Sequence, residues 1–396
     1  MILALHIYGR YRQVDYRTKV WTCVFCTARN HFPPHYAENI SETSLPAELI
    51  PQFSTVEYEL PQFTAPPIAG PPVFVFLIDV VVDEDELVQL RDALLQTLNL
   101  LPEDSLVGLI TFGTLINVYE LGFAECSKAF ALRGEKEYSA QKIQEMLCIA
   151  PARPSGTAAA NMPFSNRQSA VGRFLLPVSD CMFTLETILE DLTRDPWPSP
   201  QDERAARCTG NALNVAVSLL EIAAPRQGSR VLLFTSGPCT VGAGTTASKS
   251  RKVPMRSHGD IAKGQASLCK PAVDYYRALS ERCINSYVVC DLFACSLDQN
   301  GAMEMKILMH RTGGLTVLAD KYGQSMFRES LRRIFERPAS QDPNSSSGSV
   351  GALQMGFGAS IEVLCSRDVK LAGCIGPCAS LKKSAPSVSE NEVGIG

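Results

Sequence analysis

Seven residues constrain this chain more than any others. VFVFLID at 73–79 sets six apolar side chains in an unbroken row before a single carboxylate, Asp79. A strand with one wet face alternates apolar and polar residues. An unbroken run suits a strand buried on both faces, the kind found in parallel sheets covered by helices on two sides. The following residues agree. ELVQLRDALLQTLNLL (86–101) is amphipathic at helical period, and Asp83 and Glu86 stand at capping-box spacing before it. LVGLITFG and LINVYELG, parted by Thr114, read as a hairpin. Further helices are expected at 139–147, 180–194, 210–223, 271–283 and 323–336, with strands at 230–236, 284–294 and 315–319. Alternation of this kind predicts an α/β domain with a mostly parallel sheet.

Composition excludes several function classes. Over 396 residues the net charge is −4, which lacks the basic footprint of a nucleic-acid binder. No apolar run reaches the length of a membrane span, and MILALHI lacks the basic flank and cleavage site of a signal peptide. Most of the 14 cysteines are scattered singly, which suits reduced thiols in the cytoplasm rather than a disulfide framework. Five scattered histidines and the absence of GxxxxGK[ST] leave no catalytic constellation, so no enzyme is expected. Redox chemistry at Cys23 and Cys26 would need a helix N-terminus that this Pro-flanked, aromatic context does not offer.

Two constellations resemble metal sites. Cys23 and Cys26 form half of a zinc knuckle, but a closed tetrahedral site needs four ligands, and no cysteine pair precedes them at the usual spacing. His31 and His35 follow too closely for a normal finger loop. FVFLIDVVVD (74–83) stands where a von Willebrand A-type domain carries its DxSxS metal motif. Asp79 keeps the carboxylate, Val81 replaces the first serine and Asp83 the second. Thr209 offers a loop hydroxyl, and Ser236 stands where that fold usually has an aspartate. Valine supplies no oxygen, so the motif reads as degenerate. Of the longer loops, 148–172 and 237–267, the second carries Gly242 and Gly244 in a phosphate-loop-like run and reads as a flexible insertion. Its Lys249, Arg251, Lys252, Arg256 and Lys263 form either a basic patch for anionic lipid or an acidic partner, or a solvated loop. Arg328, Arg332, Arg333 and Arg337 cluster near the last helix, with Glu329 and Glu336 at intrahelical pairing distance.

Taken together, QVDYRTKVWTCVFCTARNHFPPHY, VFVFLIDVVVDEDEL, RFLLPVSDCMFTLETILEDLTRDPWP, RCTGNALNVAVSLLE, MRSHGDIAK and VCDLFACSLDQNGAMEMK resemble, in order and wording, the GTPase-activating inner subunit of the COPII vesicle coat. The resemblance implies a degenerate zinc-finger segment at 1–40, a linker with a β-sandwich strand at 41–72, a von Willebrand A-like (Rossmann-type) trunk at 73–339 and an incomplete β-sandwich at 340–396. In that sandwich, STVEYEL (54–60) is expected to pair with a hairpin at 357–376. The implied role is endoplasmic-reticulum-to-Golgi transport on the cytoplasmic face of the membrane. The implied partners are the cargo-adaptor COPII subunit, a Sar-type small GTPase and outer-coat subunits. Zinc is the family's cofactor. The family's first cysteine pair would fall in the unmatched first twelve residues, and its activating arginine belongs to a domain expected beyond Gly396. The competing readings are a metal-dependent ligand-binding von Willebrand A domain and the sister cargo-adaptor subunit.

Two thiolates cannot close a zinc shell. Metal analysis of the purified 396-residue protein is therefore expected to find less than one zinc per chain; one tightly held zinc would require His31, His35 or a distant cysteine to complete the site.

Overall fold

The computed structural model describes residues 13–22, 29–32, 37–41, 43–45, 70–123, 125–149, 172–337, 353, 355–361, 363 and 369–382. They belong to two units, one formed by 1–67 with 360–374 and 380–394, the other by 68–359 with 375–379 and 395–396.

In the first unit, β1 (Gln13–Asp15), β2 (Val20–Thr22) and β3 (Arg29–His31) form an antiparallel sheet in that order. Trp21, Phe32 and Ile40 are its buried residues, with Val14, Tyr16 and Ala37 packed around them. Lys19 Nζ donates to the Ile40 carbonyl at 2.5 Å and ties the sheet to the following segment. The strand expected at 54–60 lies outside the described residues. Of the hairpin expected at 357–376, residues 362 and 364–368 lie outside them as well, and the described ones carry no named strand.

The second unit is built on β4 (Val73–Asp79), all seven residues of which are buried. Alternate side chains serve opposite cores. Val73, Val75 and Leu77 enter one apolar cluster and Phe74, Phe76 and Ile78 the other. The chain continues through α1 (Glu84–Leu98), β5 (Leu106–Phe112), β6 (Leu115–Tyr119), β7 (Ala129–Arg133), α2 (Ala140–Met146), β8 (Leu176–Pro177) and α3 (Val178–Glu190). It completes the layers with α4 (Thr209–Ala223), β9 (Ser229–Thr235), α5 (His258–Ala262), α6 (Cys269–Ser286), β10 (Val288–Cys295), α7 (Ala302–Thr312), β11 (Thr316–Ala319) and α8 (Ser325–Ile334). The strand order is β11-β10-β9-β4-β5-β6-β7, with β8 pairing β5. The five strands from β11 to β5 are parallel, and β6, β7 and β8 are antiparallel additions. Helices α1, α3 and α8 pack on one face, and α2, α4, α6 and α7 on the other. The chain leaves β4 toward one face and β9 toward the other. The crevice between their carboxyl ends is therefore the topological switch point, where open α/β sheets place their sites.

Several expectations need correction. Asp83 caps no backbone group of α1, and Glu86 instead accepts the Tyr322 N–H at 2.7 Å, so the capping box gives way to a tie across to the loop before α8. Residues 284–286 extend α6 rather than begin β10, because the left-handed turn comes at Tyr287 (φ 59°). Helix α7 was not expected from the pattern, although left-handed glycines, Gly301 and Gly313, bracket it. The glycine-rich segment is no flexible insertion. Cys239, Val241 and Ala247 are buried, the Tyr276 hydroxyl donates to the Gly244 carbonyl at 3.0 Å, and Arg204 donates to the carbonyls of Ser248, Ser250 and Val253.

The scattered cysteines include none in a disulfide among the described residues. Cys181, Cys208, Cys239, Cys283, Cys290 and Cys295 are buried, whereas Cys126, Cys148 and Cys374 are exposed. Burial pushes the Cys181 thiol up to about 11 and the Cys295 thiol up to about 12. The thiolate is the reactive form. At pH 8, maleimide is therefore expected to modify Cys126, Cys148 and Cys374 in the native protein and the six buried cysteines only after denaturation, as peptide mass mapping would read; rapid native labelling of Cys181 or Cys295 would contradict this packing.

Candidate functional site

At the switch point, the parallel register brings the end of β4 beside the end of β9, and Asp79 meets the segment that follows Thr235. Asp79 is fully buried. A buried carboxylate is costly unless hydrogen-bonded and paired with a cation. Here it has both. Asp79 Oδ1 accepts the Val81 N–H at 2.8 Å. Its Oδ2 accepts the Ser236 N–H at 3.0 Å and the Thr235 hydroxyl at 3.1 Å. The cation is Arg207, whose Nε donates to Oδ2 at 2.6 Å.

Arg207 lies two residues before α4, and its guanidinium reaches several oxygens at once. Its Nη2 donates to the Val81 carbonyl at 2.6 Å and approaches Ser236 Oγ at 3.5 Å, while Nη1 lies 3.5 Å from the Pro238 carbonyl. The backbone holds the side chain in place. Arg207 N–H donates to Thr240 Oγ1 at 2.9 Å, and the Thr240 N–H returns a bond to the Arg207 carbonyl. Gly237 makes room, since a Cβ there would stand 2.3 Å from Arg207 Nη1. Asp195 braces the neighbouring loop by accepting the Thr114 N–H at 2.7 Å. Beside it, Val80, Val81, Pro196, Trp197 and Pro198 line a cleft.

The degenerate metal motif is thus only partly assembled. Asp79 and Ser236 come together. Asp83 does not join them: its side chain is 89% exposed, and its nearest cation is Arg194 at 4.0 Å. Thr209 opens α4 as a buried residue, and its hydroxyl has no hydrogen-bond partner among the described residues. As they stand these oxygens do not fit a divalent ion, because the Arg207 guanidinium already occupies the space against the carboxylate and the Val81 carbonyl. Arg207 was not singled out from the sequence. Its signal was faint: an arginine two residues before the helix whose threonine fits the motif.

Cys23 and Cys26 lie between β2 and β3 in sequence, outside the described residues, as does His35. His31 closes β3 and is exposed. Among the described residues no three His, Cys, Asp or Glu side chains gather as a metal cluster, and no helix is long and apolar enough to cross a membrane. The basic stretch is not a uniform patch. Arg256 forms a two-pronged pair with the buried Glu304, and Lys249 pairs with Glu203 at 3.0 Å; Lys252 and Lys263 are exposed. Arg328 of α8 donates to Gln89, and Arg337, beyond the end of α8, lies 3.3 Å from the Leu100 carbonyl.

Removing one member of a buried ion pair leaves the other charge uncompensated, at about 3–5 kcal/mol. Asp79→Ala is therefore expected to lower stability by about that amount in urea unfolding. Thermal melts of the wild-type protein in Mg²⁺ and in EDTA are expected to coincide; a reproducible rise in Mg²⁺ would show that the oxygens take a metal after all.

Comparisons with known proteins agree with this architecture. The family described as the Sec23/Sec24 trunk domain matches residues 69–335, and the Sec23/Sec24 zinc finger matches residues 10–36. Among solved structures, the human COPII-coat protein Sec24c is similar at 16% identity and a TM-score of 0.51, covering 83% of this chain and 41% of that one. This chain thus spans about two fifths of that protein's length. A von Willebrand factor type A protein from Catenulispora acidiphila is similar at 12% identity and a TM-score of 0.36, covering 68% of this chain and 44% of that one. The PilB minor pilin from Streptococcus sanguinis is similar at 12% identity and a TM-score of 0.33, covering 67% and 60%. At 16% identity the likeness to Sec24c concerns the fold alone.

Proposed function

The chain belongs to the Sec23/Sec24 family of COPII coat proteins, and from that premise we propose that it is an inner-shell coat subunit of the GTPase-activating type. It acts as a scaffold on the cytoplasmic face of the endoplasmic reticulum. There it pairs through its trunk with the cargo-adaptor subunit, presents that pair to a Sar-type small GTPase and engages outer-coat subunits. One observation carries the scaffold reading: the trunk closes its own core. Both faces of β4 are covered by helices of the same unit, and the family match runs through that unit from residue 69 to residue 335. A domain with its own core presents a fixed surface to a partner. The choice of the GTPase-activating type over the sister adaptor is supported by the wording of QVDYRTKVWTC and VDEDEL.

By the resemblance, the activating arginine belongs to a family domain outside residues 1–396. An arginine finger is worth about 10³–10⁵ in rate. The 396-residue protein is therefore expected to capture the cargo-adaptor subunit in a pull-down while leaving single-turnover GTP hydrolysis by the Sar-type GTPase near its basal rate. Full stimulation would place the arginine within these residues. Capture of the GTPase-activating subunit in preference to the adaptor would assign the chain to the sister type.

A further inference from the structure

The mismatch between the switch-point oxygens and a divalent ion has a second side. Four oxygens surround the Arg207 guanidinium: Asp79 Oδ2 at 2.6 Å, the Val81 carbonyl at 2.6 Å, and Ser236 Oγ and the Pro238 carbonyl at 3.5 Å each. A carboxylate, a hydroxyl and backbone carbonyls are the ligand chemistry of a hard cation. Two residues beyond Arg207, the Thr209 hydroxyl is 1% exposed and has no hydrogen-bond partner among the described residues. A buried hydroxyl without a partner is uncommon.

We propose that Arg207 is the resident cation of this site, a tethered charge standing in for the exchangeable metal of a von Willebrand A domain, and that removing it lets the same oxygens take a divalent cation. The chemistry favours the exchange. A guanidinium is always charged, and its planar fork serves several acceptors at once, as it does here with Asp79 and Val81. A metal ion leaves when its free concentration falls; an arginine side chain does not. The clasp joins the end of β4 to the segments after β9 and before α4, so the carboxyl edge of the sheet keeps one shape whatever the divalent-ion level. Gly237 fits the same account, since any side chain there would push the guanidinium out.

The test uses the full chain and Mn²⁺, read by electron paramagnetic resonance titration and by thermal melts with Mn²⁺ or EDTA. The wild-type protein and Arg207→Lys, which keeps a cation, are expected to bind no stoichiometric Mn²⁺ and to melt alike in both conditions. Arg207→Ala is expected to melt lower in EDTA, to bind one Mn²⁺ per chain and to regain part of the lost melting temperature with it. Adding Asp79→Asn should abolish that binding. If Arg207→Ala cannot be recovered folded, Asp79→Asn with Arg207→Met removes both charges and should restore folding. A folded Arg207→Ala without Mn²⁺ binding overturns the proposal. So does stoichiometric Mn²⁺ on the wild type, or failure of both the single and the paired variant to fold, which would make the position one of packing rather than charge.

Discussion

The contact between Arg207 and Asp79 is the constraint around which the trunk closes. A seven-residue strand buried on both faces must end somewhere, and here it ends on a carboxylate fully removed from water. Such a charge is tolerated only with a partner of opposite sign and a full set of donors. Arg207 supplies the charge, and the backbone of Val81 and Ser236 supplies donors from the turns on either side. The pair therefore sets where β4 and β9 stop, where the 236–240 segment runs and where α4 begins.

The same device recurs in the sheet and in the helical layers. Arg230, on β9, pairs with the buried Asp291 on β10, and Asp291 also accepts the Leu315 N–H at 2.7 Å at the start of β11. Arg256 holds Glu304 of α7, and Arg282 of α6 holds Glu221 and Asn214 of α4. Each arginine joins elements distant in sequence. Apolar packing fills both sides of the sheet, with Phe234 stacked on Phe293 at 5.2 Å and Phe327 edge-on to both. Packing of this kind is non-directional in its driving force. The arginine pairs add direction, because a guanidinium fork satisfies its acceptors in few orientations.

This arrangement bears on the coat reading. A scaffold subunit needs a surface that does not change with solution conditions, and a trunk whose switch point is closed by its own side chain provides one. The fold places a ligand crevice at the carboxyl edge. The chain fills it with Arg207, beside a cleft lined by Val80, Pro196 and Trp197.

Local pattern alone determined the sheet type and most of the elements. The unbroken run at 73–79 admits few alternatives to a doubly buried strand, and the alternation that follows admits few to an α/β layer structure. It also marked Asp79, Ser236 and Thr209 as remnants of one motif, because motif spacing is a property of the chain. What it did not determine were the partners of charged residues. Asp83 has the spacing of a ligand and of a cap, yet it sits in solvent, because its position after the strand end turns it outward. The run around Gly242 looks like a loose insertion but packs against α4 and α6, and Arg256 looks like part of a basic patch but is consumed by Glu304. Arg207 is 128 positions from Asp79 in the chain. Only the strand order, which sets β9 beside β4 and α4 beneath them, brings that cation to that carboxylate, since the energy of a buried charge depends on what surrounds it in space, however far apart those groups lie in sequence.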